Sequence, residues 1–338
     1  MKGIYKVRKM SKVVIFSHES DIDGLGCVIL AKLAFSEAKY VLAPNVEKLE
    51  LIFRDYLNTE KLENYDKIFV TDLALYDPAL TMVAESSLKD KVLVFDHHKM
   101  SIENKMNRYS FTKIIEEDLT GKRCATDLFF EYLSNNNYLA PTKCLKQFVE
   151  LTRLEDTWEW KNANDFGKMA HDLAILFNSI GIEKYISKMI QILSNDNNTF
   201  SFSNDDITII QKKKEAYEKN LQTIISSIEY FVDENNNKFG IVYANYEYRN
   251  ELPEYIEKIG NPQSIKYIII VAMDKGEYGQ KSYRSIDKNF DVNVIAMKHG
   301  GGGHPGAACV SITKEQKEKV LELNKKDGLQ YLANSKYL

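Results

Sequence analysis

Three clusters of histidine and aspartate carry the chemistry of this 338-residue chain: His18-Glu-Ser-Asp21-Ile-Asp23-Gly24, Asp72, and Asp96-His97-His98. Two carboxylates two residues apart, with an imidazole just before them, can feed two metal ions from one turn. Gly24 and Gly26 let the chain tighten and enter a closely packed helix. The bland alternative is an Asp-rich turn that caps a helix. Asp72 adds a carboxylate able to bridge two ions, although alone it reads equally well as a helix cap in a βα loop. The paired histidines decide the matter. Adjacent side chains point in different directions, so one can ligate metal while the other faces substrate, which buried structural histidines have no need to do. Imidazole and carboxylate without thiolate favour manganese over magnesium, whose sites are mostly oxygen, and over thiolate-rich zinc sites.

A second constellation lies near the C-terminus: Gly300-Gly301-Gly302-Gly303-His304-Pro-Gly-Ala-Ala308, preceded by Ser282-Tyr-Arg284-Ser285. Successive glycines let backbone N–H groups converge on an anion without side-chain obstruction. His304 and Arg284 can add charge-assisted bonds to a phosphate or a base. The alternative is a flexible turn after a helix, for which Gly300 alone would suffice.

The elements that must hold these residues follow from the pattern around them. Lys12 to His18, Lys67 to Asp72 and Lys91 to His98 are each a Lys, a short β-branched or aromatic run, and then ligand-type residues. Continuous apolar runs of this length are strands buried on both faces, hence a parallel sheet. Tyr40 to Ala43 adds a short strand; Gly24 to Ala38, Val46 to Leu57 and Pro78 to Leu88 read as helices between strands. Such α/β sheets bind ligands beyond the carboxyl ends of their strands, where the ligand-type residues fall. Helices follow over about 126–159, and the middle, 162–230, is mostly helical and polar. A second strand-rich block comprises Phe239 to Ala244, Lys266 to Met273 and Gln280 to Ile286. A helix at 292–298, with Asp291 at its N-cap and Gly300 at its C-terminal end, leads to the glycine run. A strand at 309–312 and a final helix close the chain.

Composition narrows the partners. Apolar residues at 44% and charged residues at 28% describe a globular protein long enough for two domains. A net charge of -3 gives no global attraction to nucleic acid, so duplex DNA is not an expected partner and small anionic substrates are favoured. The four cysteines form no Cys-x-x-Cys pair, which argues against structural zinc and disulfides and fits a reducing compartment. Val13 to Phe16 is too short for a signal-peptide core, and Tyr267 to Met273 is far below a membrane span. A cytoplasmic protein without membrane partners is expected.

Taken together, the histidine and aspartate clusters and the Gly-Gly-Gly-His run resemble the DHH/DHHA1 phosphoesterase superfamily, in the family's order from residue 18 to 308. The nanoRNase B-type branch is the most similar, since there too the glycine run follows a Ser-x-Arg-Ser strand. The resemblance implies an α/β protein: a parallel-sheet DHH domain over 1–160, a helical connector over 161–235, and a smaller α/β DHHA1 domain over 236–338. It implies two divalent cations, with manganese preferred and magnesium or cobalt as alternatives. His18, Asp21 and Asp72 would hold one. Asp23, Asp72, His97 and a further aspartate would hold the other: Asp156, with Asp165 and Asp172 as rivals. His98 would touch the scissile phosphate and Asp96 would orient the histidines. Arg284, Gly301, Gly302, Gly303 and His304 would bind substrate. The implied activity is metal-assisted hydrolysis of short single-stranded oligoribonucleotides to 5′-mononucleotides. The alternatives are a phosphatase or phosphodiesterase for 3′-phosphoadenosine 5′-phosphate or linear dinucleotides such as pGpG, or an inactive nucleotide-binding module. A dimer is compatible with this reading.

Overall fold

The computed structural model describes residues 12–59, 62–195 and 199–335. The first half alternates strand and helix: β1 (Val13–His18), α1 (Ile22–Ala34), β2 (Lys39–Ala43), α2 (Val46–Asn58), β3 (Lys67–Thr71), α3 (Asp77–Ala84), β4 (Val92–Asp96), α4 (Lys99–Glu103) and β5 (Thr112–Ile114). The five strands form one parallel sheet in the order β2-β1-β3-β4-β5. In such an order the strand sequence reverses between β1 and β3, which opens a crevice at their carboxyl ends. His18 closes β1, and Asp72 follows β3.

The runs that read as doubly buried strands are so for a visible reason. Val13, Ile15, Phe69 and Phe95 face one apolar cluster, while Val14, Phe16, Ile68, Val70, Val92 and Val94 face the other. The first cluster is completed by α1 and by α5 (Ala125–Asn135), α6 (Lys143–Asp156), α7 (Asn164–Ile180) and α8 (Ile182–Ser194), which follow a small hairpin of β6 (Glu117–Asp118) and β7 (Gly121–Lys122). The second cluster is covered by α2 and α3. The helix expected from Gly24 to Ala38 begins earlier and ends sooner, because the Asp21 carboxylate accepts the Gly24 N–H and caps it. Asp23 therefore sits in the first turn of α1.

The chain divides into two compact units between Lys213 and Lys214, inside α9 (Asn204–Ser226). The second unit holds β8 (Glu229–Val232), β9 (Lys238–Tyr243), α10 (Glu251–Lys258), β10 (Tyr267–Ala272), β11 (Gln280–Ser285), α11 (Val292–Lys298), β12 (Gly302–His304), β13 (Ala307–Ser311), α12 (Lys314–Glu322) and α13 (Lys325–Asn334). Its mixed six-stranded sheet runs β12-β13-β11-β10-β9-β8, with only β9 and β10 parallel. All six residues of β10 are buried, between a cluster with α11 and α13 on one face and one with α10 on the other. Two findings correct the sequence reading. The single final helix is two, broken at Leu323 and Asn324, where the Asn324 side chain caps α13. Part of the glycine run is a strand rather than a loop: β12 pairs antiparallel with β13. The missing side chains make this close approach feasible, since a Cβ on Gly301 would lie 2.0 Å from the Cys309 carbonyl oxygen. Among the described residues no helix is long and apolar enough to cross a membrane.

Candidate metal centre

The carboxyl ends of β1, β3 and β4 bring the histidine and aspartate clusters together. His18 Nδ1 donates to Asp21 Oδ2 at 2.7 Å and lies 3.4 Å from Asp72 Oδ2, while its Nε2 faces the Pro44 carbonyl at 3.2 Å. His97 Nε2 lies 3.5 Å from Asp72 Oδ1, 3.4 Å from Asp156 Oδ2 and 3.7 Å from Asp23 Oδ2. Two ligand groups result, His18/Asp21/Asp72 and Asp23/His97/Asp156, and a third set, Asp72/Asp96/His97/His98, shares Asp72 with the first and His97 with the second. The two carboxylate oxygens of Asp72 face one group each. Asp72 achieves this with a left-handed backbone, φ 62°, held by its N–H donating to the Phe95 carbonyl at 2.9 Å. Such strain in a non-glycine residue collects where surrounding structure imposes it, often at active sites.

Two of the carboxylates are fixed from behind. The fully buried Asp23 accepts the N–H groups of Ala125 at 2.7 Å and Thr126 at 2.8 Å, at the N-terminus of α5. Asp96, also fully buried, accepts from the backbone of His97, from Nδ1 of His98 at 2.7 Å and from the Ser101 hydroxyl at 2.6 Å. His98 is thereby locked at Nδ1, while half of its side chain stays exposed. The rings of the two histidines lie 4.4 Å apart, tilted 44° to each other.

The electrostatics describe a site short of positive charge. Burial, then the neighbouring charges of Asp21 and Asp23, push the Asp72 carboxyl well above its ordinary range. Burial and Asp23 raise Asp156 to about 8. Burial pulls the His18 imidazole down, but the bond to Asp21 and the nearby Asp72 carboxylate outweigh it and raise it to about 10. By contrast, burial would raise Asp96, yet its bonds to His98 and Ser101 hold it below the usual value. Asp72 Oδ2, His97 Nε2 and Asp156 Oδ2 are buried without a hydrogen-bond partner. Buried carboxylates crowded in this way are costly unless a cation joins them. Three orphaned donor atoms on imidazole and carboxylate, with no thiolate among them, fit divalent cations.

Of the rivals to Asp156, Asp165 is almost fully exposed and pairs with Lys168, and Asp172 falls in neither ligand group. Ser101 and Thr126 escape the sequence reading because they act on ligands through one hydroxyl or one N–H, which no spacing announces.

In the second unit, Arg284 is half-buried and donates to neutral acceptors: the Asn250 side chain at 3.3 and 3.4 Å and the Tyr283 carbonyl at 3.0 Å. Beside it Arg249 stacks on Tyr246, 3.8 Å from the ring centre. Neither guanidinium has a carboxylate within 4 Å among the described residues. Burial, then Arg249, lower the Arg284 guanidinium. Two cations sharing one half-buried region without an acidic partner suit an anionic ligand. Arg249 and Asn250 carry no sequence signal of this. His304, at the end of β12, is exposed. Gly301 packs against β13, Gly303 has φ 158° close to the Ala307 carbonyl, and Gly302 opens to free space.

Comparison with known proteins agrees with this architecture. Residues 12–153 match the N-terminal domain of the DHH family, and residues 236–326 match the DHHA1 domain. The chain is 34% identical over 306 residues to oligoribonuclease NrnB of Bacillus subtilis (strain 168), spanning 89% of this chain and 73% of that protein. Among solved structures, a DHH domain described as belonging to a family of ribosomal proteins aligns with a TM-score of 0.50 at 15% identity, over 97% of this chain and 88% of that one. A pGpG-specific phosphodiesterase, PggH, from Vibrio cholerae aligns with a TM-score of 0.49 at 15% identity, over 92% and 96%. At 15% identity the likeness to the DHH domain of the ribosomal-protein family is of fold alone.

Proposed function

The chain belongs to the DHH phosphoesterase family and is a metal-dependent phosphodiesterase, and from that premise we propose that it hydrolyses short single-stranded oligoribonucleotides to 5′-mononucleotides. The observation that carries this reading is the placing of Asp72, whose two oxygens face two separate groups of ligands at 3.4 and 3.5 Å. Identity of 34% to an oligoribonuclease supports the choice of substrate. So does the absence of a net basic charge, which disfavours long or duplex nucleic acid.

In this reading His18, Asp21 and Asp72 hold one cation, and Asp23, Asp72, His97 and Asp156 hold the second. Two such ions, manganese first with magnesium or cobalt as alternatives, would when bound supply an activated water and neutralise charge on the phosphoryl oxygens. His98, fixed at Nδ1 by Asp96, presents its Nε2 to a phosphoryl oxygen. The Asp96 bond outweighs burial and raises the His98 imidazole, so it favours the cationic donor that a phosphorane-like charge requires. In the second unit, Arg284 and Arg249 grip a phosphate of the substrate, with Gly301, Gly302, Gly303 and His304 beside them. Four free cysteines support a cytoplasmic setting.

The test is incubation with manganese and end-labelled RNAs of two to about twenty nucleotides, with 3′,5′-bisphosphates and linear dinucleotides in parallel. RNAs of two to five residues should yield mononucleotides, and chelation should stop the reaction. Survival of every substrate in excess manganese would end the enzymatic reading; preference for the bisphosphate would replace it with a small-nucleotide phosphatase.

A further inference from the structure

Between α6 and α7 the chain makes a tight turn from Thr157 to Trp160 in which nearly every side chain is packed or bonded. The Thr157 hydroxyl is shared between the Arg153 carbonyl at 2.8 Å and Glu159 at 3.1 Å, and Arg153 pairs with Glu150 and Glu159. Trp160 stacks on His171, with ring centres 4.1 Å apart and planes within 10°. A Cβ on Gly167 would lie 1.9 Å from the Trp160 carbonyl oxygen, so α7 is docked against this turn. Trp158 is the exception. Its indole is 52% exposed, the one aromatic among the large apolar side chains left exposed in the described residues.

Its backbone is also left-handed, φ 62° and ψ 11°. A bulky side chain in that region costs free energy, and a half-exposed indole recovers little of it by burial. The fold therefore holds Trp158 outward at a cost that packing does not explain. Lys161 places its amine 5.0 Å from the ring centre, which steadies the indole and leaves a cation beside it. Two residues away, Asp156 sits in the ligand cluster, so the two Cα atoms are at most about 7.6 Å apart. An aromatic face with a cation, carried on the chain two residues from a member of that cluster, has the composition of a surface on which bases stack.

We propose that Trp158 is a nucleobase platform: its exposed indole stacks on the base of the nucleotide whose phosphate is held at the His/Asp cluster. This rests on the oligonucleotide reading above and adds to it a contact that recognises the base, whatever its identity. Sequence-tolerant cleavage follows, because every base has a π face.

The test uses the full chain in manganese buffer and its tryptophan fluorescence, titrated with AMP and, separately, with ribose 5-phosphate. AMP should quench the wild type saturably, and the quench should vanish in Trp158→Phe, which retains Trp160. Ribose 5-phosphate should quench neither. In parallel, Trp158→Ala should raise KM for a dinucleotide RNA about tenfold, more than kcat falls, and Trp158→Phe should restore most of it. No AMP quench in the wild type, a quench that survives in Trp158→Phe, or an equal quench by ribose 5-phosphate would each overturn the assignment, as would an unchanged KM in Trp158→Ala. If no RNA is cleaved by the wild type, the oligonucleotide reading falls, whereas the AMP titration still reports on Trp158.

Discussion

Asp72 is the residue on which the site turns, and its surroundings say what should happen without it. It is buried, left-handed, and crowded by Asp21 and Asp23. Asparagine tolerates the same backbone, so Asp72→Asn removes a charge without imposing a new strain. In the absence of ions this variant should melt at or above the wild-type midpoint, since a repelled buried carboxylate has gone. The rise in midpoint that manganese gives the wild type should be lost. Two ions retained by Asp72→Asn in metal analysis would overturn the bridging role. His98→Ala should behave in the opposite way, keeping its ions while turnover falls ~100-fold, the scale of one lost transition-state donor. Near-normal turnover would remove His98 from the site. The aspartates and histidines of the cluster were legible because a ligand set needs particular residue types at strand ends, and the sequence shows both. Ser101, Thr126, Arg249 and Asn250 were not, because a hydroxyl, N–H or amide that supports a ligand is common everywhere and acquires meaning only through its partner.

At the scale of elements, α1 and α5 meet where Gly26 faces Thr126. A Cβ on Gly26 would lie 2.4 Å from the Thr126 hydroxyl, which itself donates to the Asp23 carbonyl at 2.6 Å. Gly26→Ala should therefore part the two helices, cost about 1–3 kcal/mol, and weaken ion binding by displacing Asp23. Full stability with a full manganese response would contradict that coupling. Strand β11 supplies a second case. Lys281 is fully buried and donates to the Leu332 and Ser335 carbonyls at the end of α13, and burial lowers its amine from 10.5 to about 8. Folded protein then binds this proton less readily than the unfolded chain. Below about pH 8 both states are protonated and the penalty is complete; between about 8 and 10.5 the unfolded chain holds more protons, so this group's contribution to stability rises with pH. Wild type should gain stability relative to Lys281→Met across that window in urea unfolding, and a constant difference would refute the shift. The buried strands were legible from their continuous apolar runs. The short β5, the β6–β7 hairpin and β8 were not, because two to four residues are too few to show a period. β12 was hidden for another reason: Gly302-Gly303-His304 has no strand preference of its own and is a strand because β13 lies beside it.

At the scale of the whole molecule, the chain carries its orphaned ligand atoms in the first unit and its uncompensated guanidiniums in the second. The order of motifs along the sequence already separated the two, although the polar middle gave no sign that α7 and α8 complete the core on which α1 packs. In the proposed reading function divides in the same way: ions and His98 would act on phosphorus, while Arg284 and its neighbours would bind parts of the substrate that do not react. Binding energy from those remote parts serves to place the reacting group, and a substrate lacking them cannot use it. The most direct test is kcat/KM of the wild type and of Arg284→Ala on two substrates, a short RNA and the small activated diester bis(p-nitrophenyl) phosphate. Arg284→Ala should lose roughly 10–100-fold on RNA, the equivalent of one or two charged hydrogen bonds, and should stay within a few-fold of wild type on the small diester. Equal losses on both substrates, or no loss on RNA, would contradict the division of chemistry and recognition between the two units.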